Sequence, residues 1–98
     1  MSLEDYTKKV TEMVQGQAPL GKVIKFAMGD DCLTLDGTGD ANTVSNEDKE
    51  ADCTVRLDAD VFGKLLNREL NPMTAFMTGK FKVEGDMGVA MKLQNLFS

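Results

Sequence analysis

Between Lys22 and Leu57 the apolar residues of this chain recur at every second position, in runs broken by turn-forming residues. A period of two marks strands that bury one face, so this stretch predicts a run of antiparallel strands with one greasy side. Ile24, Phe26 and Met28 point one way, and Val23, Lys25 and Ala27 the other. Gly29-Asp30-Asp31 is a short turn, after which Cys32 to Asp36 resumes the alternation with Leu33 and Leu35 on one side; the two runs predict a hairpin. Gly37-Thr38-Gly39-Asp40 makes a second turn before a short strand over Ala41 to Val44. Past a polar loop from Ser45 to Glu50, Ala51, Cys53, Val55 and Leu57 alternate against Asp52, Thr54 and Arg56.

The flanks of this region follow helical spacing instead. Leu3, Tyr6, Val10, Met13 and Val14 share one face of an N-terminal helix, with Ser2 and Asp5 as a capping pair and Gly16 and Pro19 as its stop. Asp58 or Asp60 can cap a second helix carrying Val61, Phe62, Leu65 and Leu66. Asn71-Pro72 is an N-cap residue followed by proline at the first helical position; it predicts a short helix with Met73, Phe76 and Met77 on one face, ended by Gly79. Lys80 to Glu84 alternates once more, with Phe81 and Val83 inward, Gly85 breaks it, and Asp86 caps a last helix over residues 87–97. In 98 residues this order predicts one α+β domain spanning residues 1–98, with helices over one sheet face.

Charge narrows the function classes. The formal net charge of −5 argues against nucleic-acid binding, which needs clustered Lys and Arg. Residues 1–60 hold 13 acids against 6 bases, whereas residues 61–98 hold 3 acids against 5 bases. Such an imbalance is ordinary solvated surface, or an end of the molecule that tolerates transient contact with an anionic membrane surface. Cys32 and Cys53 are far apart and lack metal-type spacing, so reduced, buried thiols in a cytoplasmic setting are expected. The acidic, amphipathic start MSLEDYTKK is unlike a secretory signal, no apolar run approaches the ~18 residues of a membrane span, and the ending Asn-Leu-Phe-Ser is unlike a peroxisomal address.

Catalytic signals are weak. The chain has no His, the commonest general base, and the two cysteines therefore have no imidazole partner. The glycines at 37 and 39 lack phosphate-loop spacing, and turn and capping duty accounts for Asp30-Asp31 and for Asp58 and Asp60. No enzymatic activity, cofactor or metal is expected.

What remains is the apolar loading of the C-terminal third. Met73, Phe76, Met77, Phe81, Met87, Met91 and Phe97 fall within 25 residues. Methionine recurs where an apolar surface must mould to varied partners, although Met stripes at helical spacing are also ordinary core. The last helix goes further. At about 100° per residue, its apolar side chains, from Leu96 round to Met91, sweep roughly 220°, against the little more than ~100° that one-sided burial needs. Its surplus flank calls for another helix, a subunit partner or a bound lipid. Gln94 lies inside this arc, either satisfied within a core or touching a ligand's polar head.

Three stretches carry a family resemblance. Lys49 to Val55, Leu70 to Lys80 and Gly85 to Leu96 hold Asn-Pro, Ala-Phe, Gly-Lys, Gly followed by Met-Gly, and Ala-Met-Lys-Leu in order and spacing. In these the chain closely resembles the sterol carrier protein 2 (SCP-2) family, strongly over residues 47–96 and more loosely before. The resemblance implies a five-stranded, mostly antiparallel sheet covered on one face by helices, with a hydrophobic tunnel between. It implies binding and transfer of a lipid ligand: a sterol, fatty acid, fatty acyl-CoA or phospholipid. Carried onto this chain, the tunnel candidates are Phe76, Met77, Phe81, Val83, Met87, Ala90, Met91 and Gln94, with Phe62 and Leu66 added from the helix reading. The N-terminal region and first hairpin are shorter than in members we would call typical, which implies a smaller or more open cavity. A monomer or weak homodimer fits this reading. The competing one is an interaction module, whose last helix forms a dimer seam or docks an enzyme of lipid or quinone biosynthesis.

Overall fold

The chain enters its first helix, α1 (Leu3–Val14), through a reciprocal cap: Ser2 Oγ accepts from the Asp5 N–H, and the Asp5 carboxylate accepts from the Ser2 N–H. The computed structural model describes residues 2–97, with side chains as far as Lys92. Tyr6, Val10 and Val14 are the buried stripe of α1, one residue per turn.

Two strands follow as an antiparallel hairpin, β1 (Val23–Met28) and β2 (Asp31–Asp36), with Phe26 opposite Leu33 and Ile24 opposite Leu35. The short β3 (Thr43–Ser45) adds to the outer edge of β2. The chain then crosses back over the sheet, and β4 (Cys53–Leu57) joins the free side of β1 in parallel, Phe26 opposite Val55. After α2 (Ala59–Leu66) and α3 (Pro72–Met77), β5 (Phe81–Gly85) pairs antiparallel with β4. The helix α4 (Met87–Phe97) ends the described chain. The five-stranded sheet runs β3-β2-β1-β4-β5, antiparallel except for the β1–β4 pair.

The α+β architecture expected from periodicity is present, with small corrections. The third strand begins two residues later than expected, and the fourth at Cys53, not Ala51. Asp58 stands at the N-cap of α2 without a side-chain cap bond. Asn71 behaves as expected: its Oδ1 accepts from the N–H groups of Met73 (2.8 Å) and Thr74 (3.3 Å).

The two sheet faces do different work. One carries Ile24, Phe26, Leu33, Leu35, Cys53 and Val55, all essentially inaccessible, and packs beneath the helices. At its centre Phe62 of α2 meets Tyr6 edge-on at 5.3 Å and Phe26 at 4.9 Å, while the Tyr6 hydroxyl donates to the Ala59 carbonyl. Across the other face runs residues 46–52, a strap between β3 and β4. Thr34, wholly buried in β2, donates its hydroxyl to the Glu47 carbonyl at 2.6 Å. Lys25 pairs with Asp48 and Lys49 with Asp36, each at 2.8 Å. Among the described residues no helix is long and apolar enough to cross a membrane.

Candidate functional site

The core does not fill the whole space between sheet and helices. Below α3 and α4 lies a cavity of about 250 Å³, larger than the ~150 Å³ void that stays dry when lined by apolar side chains. Its floor is a row across three strands, Phe26, Val55 and Val83, set side by side by the pairing register. Phe81 of β5 stands at one end, its ring 5.7 Å from that of Phe76 on α3. Leu65 of α2 and Pro72, Met73 and Phe76 of α3 form one wall; Met87, Ala90 and Met91 of α4 form the other.

Every one of these eleven lining residues is apolar. Phe26 and Val55 of the floor are buried and Val83 is half-buried, whereas Met73 (48% exposed), Phe76, Met87 and Met91 (69%) are open to solvent, so the cavity opens between α3 and α4. Flexible, unbranched methionines at the opening can reposition around cargo of different shape. Among the described residues no titratable side chain lines this space, and its walls suit apolar matter withdrawn from water.

Local sequence explains why the walls stand where they do. Asn71 and Pro72 start α3 abruptly, which lifts Met73 and Phe76 over the floor. Gly85, at φ +102°, turns the chain from β5 into α4, and a Cβ there would overlap the Asp52 carbonyl oxygen. That carbonyl accepts from the Asp86 N–H at 2.9 Å, and the Asp86 carboxylate accepts from the Gly88 N–H at 2.8 Å. Cys53, beneath this junction, is buried; desolvation, reinforced by Asp86 and Asp52, pushes its thiol up. Burial, with Asp48, does the same to Cys32, and both thiols are unpaired.

The structure brings six of the ten residues expected from sequence around this cavity: Phe76, Phe81, Val83, Met87, Ala90 and Met91. It sends three elsewhere. Phe62 and Leu66 belong to the solid core under α1 and α2, because Phe26 stands between Phe62 and the void. Met77 is turned outward, 78% exposed and off the lining. Gln94 lies outside the residues whose side chains are described, as do the other positions of the wide apolar arc beyond Lys92. Missing from the sequence reading were Phe26, Val55, Leu65, Pro72 and Met73 as lining. Phe26 and Val55 already read as inward, and the strand register with Val83 is the signal that places them on the floor.

The profile of the SCP-2 sterol transfer family matches residues 4–98. The chain belongs to this family. Sterol carrier protein 2 of Bos taurus is 49% identical over 59 residues, a stretch covering 59% of this chain and 11% of the bovine protein; the chain thus matches about a tenth of the length of these curated relatives. Among solved structures, Sterol Carrier Protein 2 Like 2 of Aedes aegypti superposes with a TM-score of 0.78 at 18% identity, over 95% of this chain and 94% of that one. Sterol carrier protein 2 of the same mosquito, solved in complex with a C16 fatty acid, palmitate, gives 0.77 at 18% identity over 100% and 97%. At such identities the likeness establishes the SCP-2 fold.

Proposed function

We propose that this SCP-2 chain is a non-enzymatic lipid carrier that holds an acyl chain in the cavity beneath α3 and α4 and transfers or presents it. The carrying observation is a cavity of about 250 Å³ whose lining, among the described residues, is entirely apolar and which opens through exposed methionines. At just below the ~300–1,000 Å³ of typical ligand pockets, it suits one flexible chain better than a rigid fused-ring sterol. The palmitate complex of the mosquito protein supports that choice. The ligand contacts in this reading are Phe76, Phe81, Val83, Met87, Ala90 and Met91, with the floor of Phe26 and Val55. The protein acts as one cytoplasmic domain over residues 1–98, a monomer or weak homodimer that touches membranes transiently.

Mass spectrometry of lipid extracted from the purified protein, beside titration with a fluorescent fatty acid, tests this. Co-purifying acyl lipid or saturable uptake is the expected result. A lipid-free protein that takes up none overturns it.

One observation favours a second reading, in which this face docks a protein. Met77 is 78% exposed and lines no cavity, so lipid uptake leaves it uncovered. Light scattering separates the two: a stable dimer that never takes up lipid supports the interaction module, and a lipid-binding monomer removes it.

A further inference from the structure

Exposure divides the methionines whose side chains are described into two groups. Met28 is 7% exposed and Met13 packs half-buried against the core, whereas Met73, Met77, Met87 and Met91 are all between 48% and 78% exposed. The exposed ones lie on α3 and α4, and Met73, Met87 and Met91 among them border the apolar cavity. The thioethers most open to solvent therefore stand around the opening through which cargo enters. Met77 shares their exposure but not the lining.

Peroxides attack thiolates ahead of other side chains, yet both thiols here are held in the protonated form. Burial is the main cause at Cys53 and at Cys32, with Asp86 and Asp48 respectively adding to it. Cys53 is inaccessible, and Cys32 Sγ donates to the Asn46 carbonyl of the strap, away from the cavity. Among the described residues neither thiol lines the apolar space, so its oxidisable groups are the three thioethers.

From this placement we infer that Met73, Met87 and Met91 form an oxidation site at the cavity mouth, where hydrogen peroxide converts thioether to sulfoxide and weakens the hold on lipid. A sulfur lone pair attacks one peroxide oxygen, and the S–O bond forms as the O–O bond breaks. The departing hydroxide takes the remaining proton and leaves as water; sulfur gives up two electrons and the peroxide accepts them. The inference rests on the carrier reading above and adds a control to it. No lining side chain among the described residues offers a hydrogen bond to the new oxygen, so an acyl chain that covers it strips its water without replacement. A sulfoxide turned outward to keep that water takes its side chain off the lining instead, and either course lowers affinity. Linkage works in the other direction too: cargo that binds the reduced mouth more tightly shields it. The empty carrier is thus the form open to oxidation.

Peroxide treatment of the full chain, followed by peptide mass spectrometry, tests this. Without lipid, sulfoxide is expected at Met73, Met77, Met87 and Met91 before Met13 and Met28; saturating palmitate should slow the three mouth residues severalfold and leave Met77 unprotected. Uptake of a fluorescent fatty acid should fall roughly tenfold in the oxidised chain, with circular dichroism unchanged, and return after joint treatment with methionine sulfoxide reductases A and B, one for each epimer. Met73→Leu/Met87→Leu/Met91→Leu, compared only with its own untreated affinity, should change less than about twofold on peroxide, whereas Met77→Leu should lose uptake as the unaltered chain does. Where the triple variant takes up no lipid, the reductase arm on the unaltered chain decides. Earlier oxidation of Met13 or Met28, equal protection of Met77, unchanged uptake after the three sulfoxides form, or a loss that tracks unfolding or resists the reductases overturns the inference and leaves the carrier reading standing. No uptake by the untreated, unaltered chain defeats the carrier reading itself, and this inference with it.

Discussion

Phe62 meets Tyr6 on one side and Phe26 on the other, with no measurable exposure. Phe62→Ala is expected to cost about 3–5 kcal/mol, read as a fall in the denaturation midpoint, because it empties packed core. Ala90→Phe is the opposite case. Ala90 borders a void, so the added ring fills empty space, and lipid titration should lose affinity while the melting temperature moves little. Gly85→Ala combines a positive φ with overlap on Asp52; roughly 2 kcal/mol or more of stability should go, and a melt near that of the unaltered protein would contradict the geometry. The sequence alone does not separate Phe62 from Phe76. Both lie on apolar helix faces, and whether such a face meets packed atoms or a void depends on where the helices come to rest over the sheet. Likewise a six-residue helix is too short for its periodicity to say that Met73 turns in and Met77 out.

At the scale of elements, local signals were strong where one residue does one job. Asn71 caps α3 through two backbone N–H groups, and Asn71→Ala should cost about 1 kcal/mol and loosen the cavity wall, seen as faster amide exchange at Met73 and Thr74. The strands were legible because alternation is a local property, but the parallel pairing of β1 with β4 was not: it is made by a strap whose polar residues read only as loop. That strap gives the fold a sensitivity to acid. Its Lys49 holds the Asp36 carboxyl well below the ordinary carboxylate range, helped by the Thr38 hydroxyl and N–H, and Lys25 lowers Asp48. A depressed folded-state pKa favours the charged form in the native state. The contribution is therefore complete above the unfolded value near ~3.9 and is lost as pH falls below it. Urea midpoints should drop between pH 6 and pH 3, and Asp36→Asn/Asp48→Asn should show a smaller drop; an equal drop would separate the strap from the acid response.

At the scale of the molecule, the two chemistries are partitioned by the sheet. Strap and ion pairs cover one face, and helices, core and cavity occupy the other. The family motifs made the fold and the class of site legible, since they take in Val55 of β4, α3 and the start of α4, all of which border the cavity. Its floor also takes Phe26 from β1, outside those motifs and far back in the chain, and only the three-dimensional register joins it to Val55 and Val83. The most direct measurement labels the methionine methyl groups and follows their NMR signals during titration with palmitate. Met73, Met87 and Met91 border the cavity, whereas Met13 lies on α1 and Met28 at the end of β1. Saturable shifts at the first three, with Met13 and Met28 unmoved, are the expected result; no saturation, or shifts centred on Met13 and Met28, would contradict a lipid held beneath α3 and α4.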